Sequence, residues 1–143
     1  MREILFRAKA INRTGYERSN YKNGDWVYGL VTRLYNEEYD LPAEMVDTNG
    51  ISGIDVDYKT IGQYTGLKCK NGVKVFEGDI IKTVANSKRL FIVFWSDKSF
   101  QFVRKDVHFD DGAEYGIPNL SMLEYEVVGN IYDNPELLEV QND

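Results

Sequence analysis

The chain has 143 residues, of which 43% are hydrophobic and 13% aromatic; this composition is typical of a globular protein of one domain or two small ones and excludes intrinsic disorder. The formal net charge of −6 at pH 7 argues against binding of duplex DNA, which requires clustered Lys and Arg side chains. No run of about 18 apolar residues is present, and the N-terminal residues lack the apolar core of a signal peptide, so we expect a cytoplasmic protein without a membrane-spanning helix.

Three strands are predicted in the first half of the chain, within residues 2–11, 26–35 and 51–58. β-Branched and aromatic residues dominate the second of them, and Gly29 within it indicates a bulge or the close approach of another backbone. Polar or glycine-containing segments predict the connections, at residues 12–25, 36–50 and 59–67.

The clearest local signal opens the second half: Asn71-Gly72 lies between β-forming residues. Asn-Gly supplies the two positive-φ residues of a tight hairpin turn. Gly78 is expected to relieve a further turn before the next strand. Residues 90–95 form a continuous apolar run, which predicts a strand buried on both faces at the centre of a closed sheet, with Trp95 in the core.

The remaining elements of the second half are strands at residues 79–84, 99–103 and 125–132, a surface loop at 104–117 and one helical turn at 119–123. Asn134, Pro135 and Glu136 indicate the start of a short C-terminal helix, because Asn caps helices, Pro fits the first position and Glu favours the positive end of the dipole. Short, closely spaced strands with little helix predict a mainly β protein, a small barrel or sandwich, in which the last strand could close the sheet.

Residues with catalytic or metal-binding chemistry form no recognisable pattern. Cys69 is the single cysteine, which excludes an internal disulfide and a cysteine-rich zinc site, and we expect an unreactive thiol. His108 is the single histidine, and no Gly-x-Ser-x-Gly elbow supports a catalytic triad around it. The acidic residues of 106–114 do not match the spacing of a calcium loop. We therefore expect no enzymatic activity, no metal and no cofactor.

Tyrosines are the sharper candidates for function. The chain has 10 Tyr, 7 Phe and 2 Trp residues, and most are expected in the core. Five lie in polar surroundings and are predicted to form an exposed interaction surface: Tyr16, Tyr21, Tyr35, Tyr39 and Tyr64. Exposed Tyr is enriched at protein interfaces, where it brings contact area at low entropic cost. It could also stack single-stranded bases, although this needs a basic groove, against which the net charge argues.

Four segments occur in a characteristic order: Met1-Arg-Glu-Ile-Leu-Phe-Arg-Ala-Lys, Asn23-Gly-Asp-Trp-Val-Tyr-Gly, Ile61-Gly-Gln-Tyr-Thr-Gly-Leu-Lys through Val75-Phe-Glu-Gly-Asp-Ile, and Val127-Val-Gly-Asn-Ile-Tyr-Asp-Asn-Pro-Glu-Leu-Leu. Together they resemble the YopX-like proteins of bacteriophages and prophages. The resemblance implies a mainly β fold with an SH3-like barrel, which we assign to residues 68–143, beside an N-terminal β region, residues 1–67, the two possibly forming one compact unit. It supplies no catalytic residues. The chain departs from the family at Cys69, where Asp is usual, and in an enlarged first loop over residues 13–22.

Our first functional hypothesis is a non-catalytic protein-interaction module of phage origin, which binds a host protein, a phage protein or a second copy of itself through aromatic and acidic surface. The alternative is a nucleic-acid-binding protein, by analogy with other SH3-like barrels, or an acidic mimic of DNA. An enzyme is the least favoured class, because no base, nucleophile and orienting group fall into a recognisable pattern.

Overall fold

The computed structural model describes residues 2–12, 21–85, 89–108, 113–117 and 124–139. The chain divides into two compact units, unit 1 from Met1 to Tyr64 and unit 2 from Thr65 to Asp143. Strands dominate both. In the described part of the chain the helices are short 3₁₀ turns, at Tyr58–Thr60, Lys70–Gly72 and Pro135–Leu138. The prediction of a mainly β protein with little helix is confirmed. None of the helices in the described residues has the length and the apolar composition that a membrane span requires.

Unit 1 is an antiparallel sheet in the order β4-β3-β2-β1-β5. Its strands are β1 Phe6–Lys9, β2 Trp26–Arg33, β3 Ala43–Asp47, β4 Ile54–Val56 and β5 Gly62–Lys68, the last of which ends in unit 2. Alternate residues of one face form a buried core, which contains Ala8, Ala10, Val27, Ala43, Met45, Ile54 and Val56.

Two strands of unit 1 lie where the sequence predicts connections. β3 falls within the predicted loop at residues 36–50, and all of β5 except its last residue falls within the predicted link at 59–67. In β3 the buried Asp47 interrupts the apolar alternation that Ala43 and Met45 begin. β5 opens with glycine and polar residues, and its pairing with β1 through Gly62 supplies the order that local propensity lacks. Tertiary pairing here overrides a weak local preference.

Gly29 confirms the predicted close approach of another backbone. A Cβ atom at this position would lie 1.9 Å from the carbonyl oxygen of Val46 on the neighbouring strand. The register of β2 on β3 shifts between Val31 and Arg33, which is the irregularity that the glycine indicates. Only a residue without a side chain fits at this contact.

Unit 2 contains a five-stranded antiparallel sheet in the order β10-β9-β8-β7-β11. Its strands are β7 Asp79–Thr83, β8 Leu90–Ser96, β9 Gln101–Asp106, β10 Tyr115–Gly116 and β11 Tyr125–Asn130, and β6 Lys74–Phe76 lies beside the end of β5. β11 is at one edge of this order and β10 at the other. Across the described residues no sheet closes on itself, so the SH3-like barrel is not confirmed and the last strand does not close the sheet.

β8 occupies the centre of this sheet, as its apolar run predicts, but it is not buried on both faces. Phe91 and Val93 belong to the core, whereas Ile92 and Phe94, which alternate with them, are only partly buried. Trp95 is 43% exposed, so the expectation that it lies in the core is wrong. The physical reason is its place at the end of the strand, just before the turn to β9, where Phe102 packs edge-to-face against its ring at a centroid distance of 5.1 Å.

The Asn71-Gly72 hairpin is confirmed. Asn71 has φ 67° and Gly72 has φ 74°, so both residues are in the left-handed region that such a turn requires. The turn is closed by the backbone N–H of Cys69, which donates to the carbonyl oxygen of Val73 at 2.8 Å.

The two most specific segments of the family resemblance meet where β7 pairs with β11. Gly78, with φ 86°, forms the turn before β7, and the backbone N–H of Ile131 donates to its carbonyl oxygen at 2.9 Å. A Cβ atom at Gly129 would lie 2.4 Å from Oδ1 of Asn134, which accepts the backbone N–H of Asn130 at 3.1 Å. These motif residues therefore connect the turn before β7 to the segment after β11, and this packing explains why glycine and asparagine occupy these positions.

The predicted C-terminal helix is present as the 3₁₀ turn Pro135–Leu138, with Pro135 at its start. Asn134 precedes it as expected, but its side chain makes no capping hydrogen bond, because Oδ1 accepts from Asn130 instead. The helical turn predicted at residues 119–123 lies outside the described residues.

Candidate functional site

The five tyrosines predicted to form an interaction surface have different environments. Tyr39 is 68% exposed, and Tyr21 and Tyr35 are half-buried. Tyr64 is only 5% exposed, so the prediction that it lies on the surface is wrong. It belongs to β5, whose polar residues next to Tyr64 in the sequence do not indicate a buried strand. Tyr16 lies outside the described residues.

Tyr35 and Tyr39 belong to the loop between β2 and β3, which an antiparallel bridge between Asn36 and Leu41 closes. The ring of Tyr35 stacks on that of Tyr58, with a centroid distance of 4.3 Å and 8° between the planes. Its hydroxyl donates to the carboxylate of Asp40 at 3.1 Å. The Tyr35 side chain is therefore held at both its face and its tip.

This part of unit 1 is named the tyrosine surface here, and it comprises Leu34, Tyr35, Tyr39, Leu41 and Tyr58. Leu34 is 75% exposed, and Leu41 and Tyr58 are also exposed. The loop carries three exposed acidic residues among these apolar groups, Glu37, Glu38 and Asp40. The hydrogen bond to Asp40, followed by burial, raises the pKa of Tyr35 above its ordinary value of 10.0, so its phenol remains a donor at neutral pH. The surface combines apolar contact area with negative charge.

Tyr21 has a structural partner instead. Its hydroxyl donates to the carboxylate of Asp47 at 2.9 Å, and Asp47 also accepts the backbone N–H groups of Asn49 at 3.0 Å and Ile51 at 2.8 Å. Burial opposes ionisation of Asp47, but these hydrogen bonds hold its pKa below the ordinary value of 3.8. Burial and the bond to Asp47 raise the pKa of Tyr21. This cluster organises the turn after β3.

Unit 2 contains a cavity of about 250 Å³, named the arginine pocket here and lined by Thr83, Arg89, Phe91, Arg104, Tyr115 and Tyr125. Each of the five strands in the sheet contributes one lining residue. The strand register explains how they meet, since Thr83 lies opposite Tyr125 and Arg104 lies opposite Tyr115. Arg89 joins them immediately before β8, with its guanidinium 5.2 Å from the centroid of the Phe91 ring.

Arg104 lies among three aromatic rings. Its guanidinium carbon is 5.3 Å from the ring centroid of Phe91, 5.4 Å from that of Tyr115 and 5.6 Å from that of Tyr125. One terminal nitrogen donates to the carbonyl oxygen of Gly116, whereas the buried Nε has no hydrogen-bond partner. Cation–π contacts therefore contribute to the stabilisation of this charge.

The second arginine of the pocket is paired. Arg89 donates through Nε to the buried carboxylate of Asp106 at 2.9 Å. Among the described residues, no carboxylate forms a salt bridge with Arg104. The two guanidinium groups and one carboxylate give the pocket a net positive charge in a protein whose net charge is −6.

Cys69, His108 and the acidic loop form no common site in the described part of the chain. Cys69 is buried, and this burial raises the pKa of its thiol, which is therefore protonated at neutral pH. The backbone N–H of His108 donates to Asp106 at 2.9 Å, so this carboxylate serves the backbone as well as Arg89. Among the described residues no group of three His, Cys, Asp or Glu side chains could hold a metal ion, and residues 109–112 of the acidic loop lie outside them.

The sequence interpretation missed the arginine pocket because it treated residues 104–117 as a surface loop. β9 extends to Asp106, and Tyr115 begins a further strand. The spacing of Arg104 and Asp106 places both on one face of a strand, but only the pairing register brings them to Tyr115 and Phe91.

Comparison with known proteins agrees with the resemblance. Residues 6–139 match the family described as YopX protein. The crystal structure of protein EF1440 from Enterococcus faecalis is similar, with 26% sequence identity, a TM-score of 0.55 and coverage of 96% of this chain and 99% of that chain. No curated protein matches significantly. Because the family match extends over most of the chain, this protein belongs to the YopX family.

Proposed function

We propose that this chain is a non-catalytic protein-interaction module of bacteriophage or prophage origin, active in the cytoplasm of the bacterial host, and that it binds through the tyrosine surface. The stacked pair of Tyr35 and Tyr58 supports this proposal, because it forms a fixed aromatic platform on a loop that also carries the exposed side chains of Leu34 and Tyr39. Exposed apolar side chains that cluster in this way are typical of protein-binding surfaces.

The platform is organised before any partner binds. Stacking on Tyr58 and the hydrogen bond to Asp40 restrict the Tyr35 side chain, so that little rotamer entropy is lost on association. Leu34 and Tyr39 add apolar area whose removal from water favours binding.

The charge of the loop indicates the chemistry of the partner. Glu37, Glu38 and Asp40 add three exposed carboxylates to the same loop. Such carboxylates orient a partner that carries Lys or Arg around an apolar centre, and they raise the association rate more than the affinity. The interaction is therefore expected to weaken as salt is added.

The test uses the double variant Leu34→Ser/Tyr39→Ser and the control Val73→Ser, which changes an exposed apolar residue of unit 2. Wild type and control are expected to retain the same host or phage protein on an affinity resin, and the double variant to lose it. Binding of the purified partner and sedimentation of the chain alone then separate hetero-association from self-association. A chain that is strictly monomeric and retains no protein, or a double variant that binds like wild type, would refute the proposal.

A further inference from the structure

The arginine pocket of unit 2 takes no part in the function proposed above. We propose that it binds a compact small molecule in which a carboxylate or phosphate group is attached to an aromatic or other planar body. Its charge, its donors and its shape each support this assignment, and none of them depends on the tyrosine surface.

Charge selects an anion. Asp106 neutralises Arg89, whereas Arg104 is compensated within the described residues by ring faces and the carbonyl oxygen of Gly116. A partly buried guanidinium without a carboxylate partner is costly, and an oxyanion beside it removes part of this cost. Hydrogen bonds between arginine and an oxyanion are also among the stronger ones in proteins.

The hydrogen-bond donors are arranged at two depths. Arg89 uses Nε for Asp106, which fixes the direction of its guanidinium, and its side chain is 51% exposed. Arg89 is therefore accessible from solvent, while Arg104 is partly buried among the rings. An oxyanion entering from solvent meets Arg89 first and approaches Arg104 when it is fully bound.

The pocket excludes a cationic ligand, and its volume limits the size of an anionic one. Phe91, Tyr115 and Tyr125 already surround the Arg104 guanidinium, so they do not form a vacant cage for an ammonium group, and both arginines repel one. The volume of about 250 Å³ is slightly below the range of drug-sized pockets. It suits a single ring with its anionic group.

The test is a titration of the ¹⁵N-labelled full chain, followed by amide chemical shifts. Phenyl phosphate and benzoate present the two anionic groups on a ring, benzyl alcohol presents a ring without the charge, and inorganic phosphate presents the charge without a ring. At least one of the two ring anions is expected to bind saturably, with shifts centred on Thr83, Phe91 and Tyr125, and about tenfold more tightly than either partial probe. Comparison of the two identifies the preferred oxyanion. Absence of saturable binding by both, equal binding of benzyl alcohol, or shifts confined to unit 1 would overturn the proposal.

Three variants locate the site. Arg104→Gln removes the partly buried charge and Arg89→Gln removes the exposed one, so each is expected to weaken binding about tenfold or more. If Arg104→Gln unfolds the chain because the three ring contacts are lost, Arg89→Gln still tests the site. Lys105→Gln removes the same charge from the next residue of β9, which does not line the pocket, and should bind like wild type. Equal binding by Arg89→Gln and Lys105→Gln would place the site elsewhere.

Discussion

The backbone N–H of Ile131 donates a hydrogen bond of 2.9 Å to the carbonyl oxygen of Gly78. This bond joins the Phe-Glu-Gly-Asp segment to the Gly-Asn-Ile-Tyr segment, which are distant in sequence and belong to the two most specific parts of the family resemblance. Their meeting at the β7–β11 pair gives the family motif a structural role, in which the glycines leave room for neighbouring side chains.

Gly129→Ala should therefore destabilise unit 2. The added methyl group would lie 2.4 Å from Oδ1 of Asn134, so either the loop moves or the hydrogen bond from Asn130 breaks. The free energy of unfolding, measured in urea, is expected to fall by about 1–3 kcal/mol. The control is the same glycine substitution made in an Asn134→Ala variant. There it should lower the free energy of unfolding by distinctly less, because the obstructing amide is absent. Equal costs in both backgrounds would show that Asn134 is not the obstacle.

Trp95 and Phe91 lie on the same strand and should respond differently to truncation. Phe91→Ala is expected to cost about 3–5 kcal/mol, because the ring is buried in the core and packs edge-to-face on Tyr125. Trp95→Ala should cost about 1 kcal/mol, chiefly through its contact with Phe102. Denaturant unfolding of the two variants measures both values. A larger loss for Trp95→Ala than for Phe91→Ala would contradict the exposure of the indole.

Acid should destabilise unit 1 through Asp47. Its hydrogen bonds with Tyr21, Asn49 and Ile51 lower its pKa in the folded chain below the 3.8 of an unperturbed carboxyl. A depressed folded pKa contributes stability that is complete above about pH 4 and is lost as the pH falls through the folded value. Asp47→Asn should flatten the decline in urea midpoint over this acidic range. An unchanged slope in the variant would assign the acid sensitivity to other carboxyls.

The predictions from sequence succeeded where a local conformation has its own chemical signature. Asn71-Gly72 forms the expected turn because both residues tolerate positive φ, and Gly29 marks a close backbone contact as expected. They failed where burial depends on neighbours. Trp95 is exposed although its run is apolar, and Tyr64 is buried although its neighbours are polar. Neither outcome is encoded in a short window of sequence.

By itself the sequence determined the mainly β character, the Asn71-Gly72 turn and the family, because strand propensity, positive-φ residues and motif order are local properties of the chain. Tertiary structure alone decided which side chains meet. The arginine pocket exists because the register of five strands brings Arg104 opposite Tyr115 and Thr83 opposite Tyr125. A shift of one residue in either pairing would turn these side chains to the other face of the sheet, and no local pattern in the sequence specifies that choice.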